Sequence, residues 1–239
     1  MIVERVYMKS TKRALFDRNL RVRPVMSLKK ALLRCVQDGN KAVIAEFKRA
    51  SPSGFVNNAN ADLERYLQSL GGRGIAGVSI LAEPHYFHGS YEDIAIAQKY
   101  PYPVLVKDFI SSEGMIKSSF NAGGDCLLLI ADFLGGQELL RLYNYARRIG
   151  MEVLIEFHDP ECYQRIPESI DVLIGYNRRN LRTLKIEPDE NAALKVMSSD
   201  TRLKILESGL KSSQDPGLEG FDGMLVGESM LTERFNGEV

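Results

Sequence analysis

Two lysines and two glutamates stand where buried strands should end. Lys48 closes the apolar run Ala42–Lys48 and follows Glu46 by two residues; Lys107 lies in Val104–Phe109, and Glu156 in Val153–Phe157. Asn177 ends the run Val172–Asn177, and Glu207 with Ser208 ends Leu203–Ser208. Taking an ammonium or carboxylate out of water is costly unless the charge is paired, so strands covered on both faces carry few charges. Charges repeated at one end of several such strands therefore imply a single polar pocket. Three carboxylates and two ammonium groups sharing a half-dry mouth would shift one another's pKa values, as acid–base chemistry near neutral pH requires. The competing reading is an inert ion-pair layer that plugs the strand ends.

The elements that would carry these residues recur along the chain. Apolar runs rich in Val, Ile and Leu fall at 42–48, 77–82, 104–109, 126–131, 152–157, 172–177, 203–208 and 223–227. They are continuous rather than alternating, as in parallel strands covered by helices. Between them, 61–71 and 136–150 space their apolar residues as helices do, with Gly150 a stop signal. The stretch after Ser112 and 191–197 follow the same pattern more weakly, and Ser27 is placed to cap a helix over 28–36. Eight strands alternating with helices in 239 residues predict an α/β fold, a (β/α)8 TIM barrel occupying 1–239 as one domain, with 1–40 as an N-terminal helical extension. The eighth helix is expected to be short.

In such a barrel the C-terminal rim holds the chemistry, and the loops after the last two strands commonly cradle phosphate. Ser208–Gly209 and Gly227–Glu228–Ser229 fall in those loops, with Arg179 and Ser51 as further phosphate donors. No dinucleotide or P-loop glycine pattern follows a strand. His85, His88 and His158 are too scattered for a zinc site, so no metal is expected. Lys plus Arg equals Asp plus Glu at 31 each, which gives no global signature of nucleic-acid or membrane binding. The first fifty residues nevertheless hold 13 Lys and Arg, readable as an RNA-contacting arm, a field for a small polyanion, or solvated helix faces. Three widely spaced cysteines, no signal-like start and no long apolar run place the chain in the cytoplasm by expectation.

Together the segments IAEFKRASPSG (44–54), VSILAE (78–83), YFHGS (86–90), VLVKDFI (104–110), LIEFH (154–158), IGYNRRNL (174–181), ESG (207–209) and LVGES (225–229) resemble the indole-3-glycerol phosphate synthase family. The resemblance runs in order from Ser27 to Leu231. It implies ring closure, decarboxylation and dehydration of 1-(2-carboxyphenylamino)-1-deoxyribulose 5-phosphate, in tryptophan biosynthesis, without cofactor or metal. It makes Lys107 the acid toward the ketone oxygen. Glu46, Lys48 and Glu156 share the remaining proton transfers, and Lys48 also neutralises the substrate carboxylate. Asn177 and Glu207 would orient the hydroxyls and the aromatic amine. Ser51, Arg179, Ser208, Gly209, Gly227 and Glu228 would hold the phosphate, and Phe87 with Phe109 would wall the aromatic ring. The implied partner is an anionic phosphosugar, with other tryptophan-pathway enzymes as candidate partners and neither nucleic acid nor membrane.

Desolvation is then expected to lower the pKa of Lys107 and strengthen it as an acid. The substrate's charge would give Arg18, Arg21 and Arg23 a steering role. Arg178 fills a slot that the family commonly gives to a smaller polar residue, so the loop beside the phosphate is expected to differ; Phe47 should affect packing only. Two enzyme alternatives share the fold: a Schiff-base aldolase using Lys107 or Lys48, and phosphoribosylanthranilate isomerase, which should carry a Cys on the first strand. A non-catalytic phosphosugar-binding protein is the third.

Overall fold

The computed structural model describes residues 2–13, 15–57 and 61–232, the side chains of 2–4 apart. α1 (Ile2–Ser10) and α2 (Leu28–Gln37) precede β1 (Ala42–Phe47), α3 (Leu63–Ser69), β2 (Gly77–Leu81), α4 (Tyr91–Ala97), β3 (Val104–Lys107) and α5 (Glu113–Ala122). There follow β4 (Cys126–Ile130), α6 (Gly136–Arg148), β5 (Glu152–Phe157), β6 (Leu173–Asn177), α7 (Glu190–Val196), β7 (Lys204–Glu207), β8 (Gly223–Val226) and α8 (Glu228–Leu231). Between β5 and β6 a 3-10 turn, Pro160–Arg165, stands in for a helix. The strands form a closed parallel barrel in sequence order. It is sealed by β1 against β8, with Ile44 opposite Leu225. The fold is the TIM barrel expected, with an N-terminal helix present.

The local signals act as their chemistry requires. Ser27 caps α2 by accepting from the Lys30 amide, and Ser112 caps α5 through Met115. Asp62 caps α3, which starts at Leu63 rather than at residue 61. Gly150 ends the α6 turn with φ +89°, a left-handed conformation that suits glycine.

Alternation along each strand divides the apolar residues into two layers. Val43, Ala45 and Phe47 face outward into the layer shared with α3 to α6, where Phe47 packs on Tyr66. Ala42 and Ile44 face inward with Leu105, Leu128, Leu154, Ile205 and Leu225. By the same alternation Glu46, Lys107, Glu156, Asn177 and Glu207 turn toward the barrel axis, one or two residues above this apolar plug.

α2 closes the opposite end. Leu28 and Leu32 are fully buried in the interior layer, each such burial contributing about 1.5–3 kcal/mol. A Cβ on Gly77 would lie 2.5 Å from Leu28 Cδ1, so the close approach of helix and strand needs glycine there. Beside it, the buried Asp125 carboxylate accepts from Arg23 Nη1 (3.0 Å) and Nη2 (2.6 Å), and from the amides of Met26 (3.0 Å) and Val104 (2.8 Å).

That cluster corrects one expectation. Arg21 and Arg23 are bound to Asp125 and to backbone carbonyls at the foot of the barrel, and Arg18 pairs with Glu92. Asp125 directly precedes β4, at the end remote from Lys107, so Arg21 and Arg23 tie the extension to the barrel and do not face its mouth. Among the described residues no helix is long and apolar enough to cross a membrane.

Candidate active site

Four strands deliver their last inward-facing side chains to one cluster. Lys107 Nζ lies 2.7 Å from Glu207 Oε2, 3.3 Å from Glu46 Oε2 and 3.8 Å from Glu156 Oε2. Lys48 Nζ donates to the other Glu46 oxygen at 2.8 Å. Asn177 Nδ2 donates to Glu156 Oε1 at 2.8 Å, while Asn177 Oδ1 accepts from the Arg179 amide at 2.9 Å. His158 Nδ1 lies 2.8 Å from the Asn177 carbonyl and fixes the end of β6 from outside the barrel.

These residues open on a cavity of about 370 Å³. Every candidate catalytic or substrate-binding residue from the sequence borders it except Glu207, which is 0% exposed. The Glu207 carboxylate, expected to orient the substrate, lies against Lys107 and accepts from that ammonium at 2.7 Å. It fits there because β6 carries Gly175 between Glu156 and Glu207, and a Cβ at Gly175 would overlap Glu207 Oε1. Gly227 is constrained in the same way by the Glu46–Lys48 pair.

The electrostatics follow from this crowding. Burial alone would lower the Lys107 pKa, but Glu207, Glu46 and Glu156 outweigh it and the pKa is raised. The expected depression is thus overturned: three carboxylates from three strands surround one ammonium. Burial pushes Glu46 upward, yet Lys48 and Lys107 bring it down to about 2. Glu156 goes the other way. Burial, then the Glu207 charge, exceed the help from Lys107 and Asn177 and raise it to about 8. Glu156 Oε2 and Glu207 Oε1 are both buried without a donor. The raised pKa of Glu156 favours its protonated form near neutral pH.

Around the cluster the walls are apolar. Phe87 and Phe109 face each other with ring centroids 6.2 Å apart, and Leu128, Ile130 and Leu225 add apolar lining. Phe87 is set by Glu83, a buried carboxylate that accepts from the amides of His85 (3.0 Å), Tyr86 (2.7 Å) and Phe87 (3.1 Å). Phe109 is set by the N-terminal segment, where Ser10 Oγ donates to its carbonyl at 2.9 Å and Arg13 pairs with Asp108. Sequence reasoning missed Glu83 as a positioning group, although a carboxylate between a buried strand and Pro84 was the available signal. It also missed the upper wall of Leu181, Leu184 and Ile186, which lies in a segment with no helix or strand period.

The opposite side is built from loops. Ser51, Arg179, Ser208, Gly209, Gly227 and Glu228 border it, with Gly227 and Glu228 at the first turn of α8. Ser208 has φ +69° and Gly209 φ +75°; the serine is a non-glycine residue in the left-handed region, a strain that surrounding contacts must hold. Ser229 Oγ donates to the Leu210 carbonyl at 2.6 Å and joins this loop to α8. Arg179 Nη1 donates to the Leu184 carbonyl at 2.8 Å. The cavity thus has an acid–base floor, an aromatic wall and a rim of small residues and one guanidinium.

Residues 3–236 match the family model described as indole-3-glycerol phosphate synthase. The indole-3-glycerol phosphate synthase of Picrophilus torridus is 43% identical over 232 residues, covering 97% of this chain and 92% of the relative. That of Sulfurisphaera tokodaii is 40% identical over 220 residues, covering 90% and 87%. Among solved structures, tryptophan synthase subunit alpha from Legionella pneumophila superposes with TM-score 0.59 at 15% identity, over 86% of this chain and 87% of that one. This last likeness concerns the fold alone.

Proposed function

The chain belongs to the indole-3-glycerol phosphate synthase family, and from that premise we propose how its residues divide the work. The activity is the family's: conversion of 1-(2-carboxyphenylamino)-1-deoxyribulose 5-phosphate to indole-3-glycerol phosphate, a carboxy-lyase reaction of tryptophan biosynthesis on a small phosphorylated substrate.

The observation that carries the assignment is Lys107 Nζ within 3.8 Å of three carboxylates at the cavity floor. The ring carbon bearing the carboxylate attacks the ketone carbon while Lys107 gives its proton to the ketone oxygen. This acid need not have a pKa near 7. It must be charged at rest and less basic than the forming alkoxide, and its carboxylate neighbours keep it charged. Loss of carbon dioxide returns the bonding pair to the ring and restores aromaticity. The ketone oxygen, now a hydroxyl, takes a second proton and leaves as water. A proton on the adjacent ring carbon is removed and the indole double bond forms.

Both protons given by the enzyme go to one oxygen, so one acid facing that oxygen can supply both if it is recharged between steps. The proton held by Glu156, 3.8 Å from Lys107 Nζ, is the reservoir: it passes to Lys107 after the first transfer. The Glu156 carboxylate so released is the base for the carbon-bound proton. The enzyme gives two protons, recovers one and takes one from solvent, which matches the proton consumed when a carboxylate leaves as carbon dioxide.

Lys48 faces the substrate carboxylate, and Glu46 holds Lys48 and Lys107 in place. Asn177 orients a substrate hydroxyl and the Glu156 carboxyl. The aromatic ring lies against Phe87 and Phe109. The phosphate meets Arg179, the Ser51 and Ser208 hydroxyls, and the amides of Gly209, Gly227 and Glu228, and its binding energy orients the remote reacting carbons. Schiff-base chemistry is disfavoured, because the carboxylates hold Lys107 as an ammonium with no free pair to attack a carbonyl. The chain works as one domain, and its free Cys35, Cys126 and Cys162 suit a reducing cytoplasm.

Glu156→Gln tests the relay. The first protonation survives and the second half stalls, so carbon dioxide release should outrun the appearance of indole fluorescence. Equal slowing of both signals would remove Glu156 as reservoir and base.

A further inference from the structure

Arg178 follows Asn177 but turns away from the cavity. Arg178 is 8% exposed, and its guanidinium joins a helix start to a loop: Nε donates to Glu190 Oε1 at 2.5 Å, and Nη2 donates to Asp215 Oδ1 at 2.9 Å. Glu190 is the first residue of α7. Asp215 caps the 3-10 turn Pro216–Leu218, accepting from the Gly217 amide at 3.0 Å. The loop backbone lies directly on the guanidinium, since a Cβ on Gly217 would overlap Arg178 Nη2 and come within 2.8 Å of Glu190 Oε1. The Arg178 hydrogen bond holds Asp215 below the usual carboxylate range.

This anchor sits at the far end of the loop that begins with the left-handed Ser208 and Gly209. On the cavity side the same loop is fixed by Ser229 on the Leu210 carbonyl and by Ile186, whose Cγ2 would lie 3.6 Å from a Cβ on Gly209. Ile186 is itself bridged to Arg179, and the Glu187 amide donates to the Arg178 carbonyl at 2.8 Å. Residues 178–187 and 208–215 therefore form one body, with Arg178 as the ionic tie at its outer edge. A single small polar side chain at 178 could not reach both carboxylates.

We propose that Arg178 is a positioning residue for phosphate binding: by tethering Asp215 it keeps the 208–211 loop in its strained, ligand-ready conformation without touching the substrate. This rests on the reading that the 208–211 loop holds the substrate phosphate. A strained segment kept in shape by the protein loses no ordering free energy when the phosphate arrives; a released loop does. The effect falls on binding, because the chemistry occurs at Lys107 across the cavity.

Asp215→Asn weakens the loop tether and leaves the Arg178–Glu190 pair, whereas Glu190→Gln weakens only the helix side, so neither leaves the guanidinium without a partner. Asp215→Asn should raise KM about tenfold with kcat changed less than about twofold. Glu190→Gln should move KM far less. Inorganic phosphate, as a competitive inhibitor, should lose affinity for Asp215→Asn in parallel with the substrate. Equal KM in Asp215→Asn and the unaltered protein, equal effects of the two variants, or a fall in kcat alone would overturn the proposal. If phosphate competes equally well with both proteins, the tether fails and the phosphate site stands. If phosphate does not compete even in the unaltered protein, the site reading and the tether fall together.

Discussion

The Glu46 carboxylate occupies the space that a side chain at position 227 would need: a Cβ there would lie 2.5 Å from Glu46 Oε1 and 3.0 Å from Lys48 Nζ. The strands that seal the barrel, β1 and β8, are thus coupled at the cavity floor, and the second glycine loop borders both the ion pair and the rim. Gly227→Ala should displace Glu46 and Lys48 together and lower kcat/KM by about tenfold or more, with the far-ultraviolet circular dichroism unchanged. Full activity in that variant would show that the pair tolerates displacement.

Glu156, with its pKa at about 8, sets a limb of the pH profile. The relay needs it protonated at rest, so kcat/KM should fall as pH rises through about 8. In Glu156→Gln the residual rate should lack that limb.

The same group has a stability consequence of definite sign. Between its ordinary value of 4.5 and about 8 the folded protein keeps a proton that the unfolded chain has lost. Stability from this group therefore decreases as pH rises across that window. Chemical denaturation at several pH values should show Glu156→Gln gaining stability relative to the unaltered protein from pH 5 to pH 8. A constant difference between the two would contradict the raised pKa.

Asp125→Ala should cost about 3–5 kcal/mol, because it strips the buried end of Arg23 and two backbone amides of their acceptor. The folded fraction should retain its kcat, and neutralising Arg21 and Arg23 should leave the ionic-strength dependence of kcat/KM unchanged. A weaker salt dependence would restore the steering role that the fold denies them.

Much of this architecture was legible because the barrel repeats one rule. Each buried strand shows a continuous apolar run, and position parity then assigns Glu46, Lys107, Glu156, Asn177 and Glu207 to the axis. Parity could not give depth. Lys107 and Glu207 end strands at the same rim, yet Lys107 borders the cavity and Glu207 is fully buried against Gly175, where a Cβ would overlap its carboxylate. Nor could it give the sign of the Lys107 shift, which depends on distances among four strands. The basic N-terminal segment misled for a related reason. The long-range partners of Arg21 and Arg23 lie between Gln98 and Asp125, too distant in sequence for any local pattern to reveal. Arg178 was visible as an unusual residue, but its two carboxylate partners come from the start of α7 and from a separate loop.

The most direct measurement is turnover of 1-(2-carboxyphenylamino)-1-deoxyribulose 5-phosphate, followed by indole fluorescence, for the protein and for Lys107→Ala with its fold confirmed by circular dichroism. Product should form with the unaltered protein, and kcat should fall by about 10²–10⁴-fold in the variant. An unchanged kcat in Lys107→Ala would contradict the assignment of Lys107 as the acid.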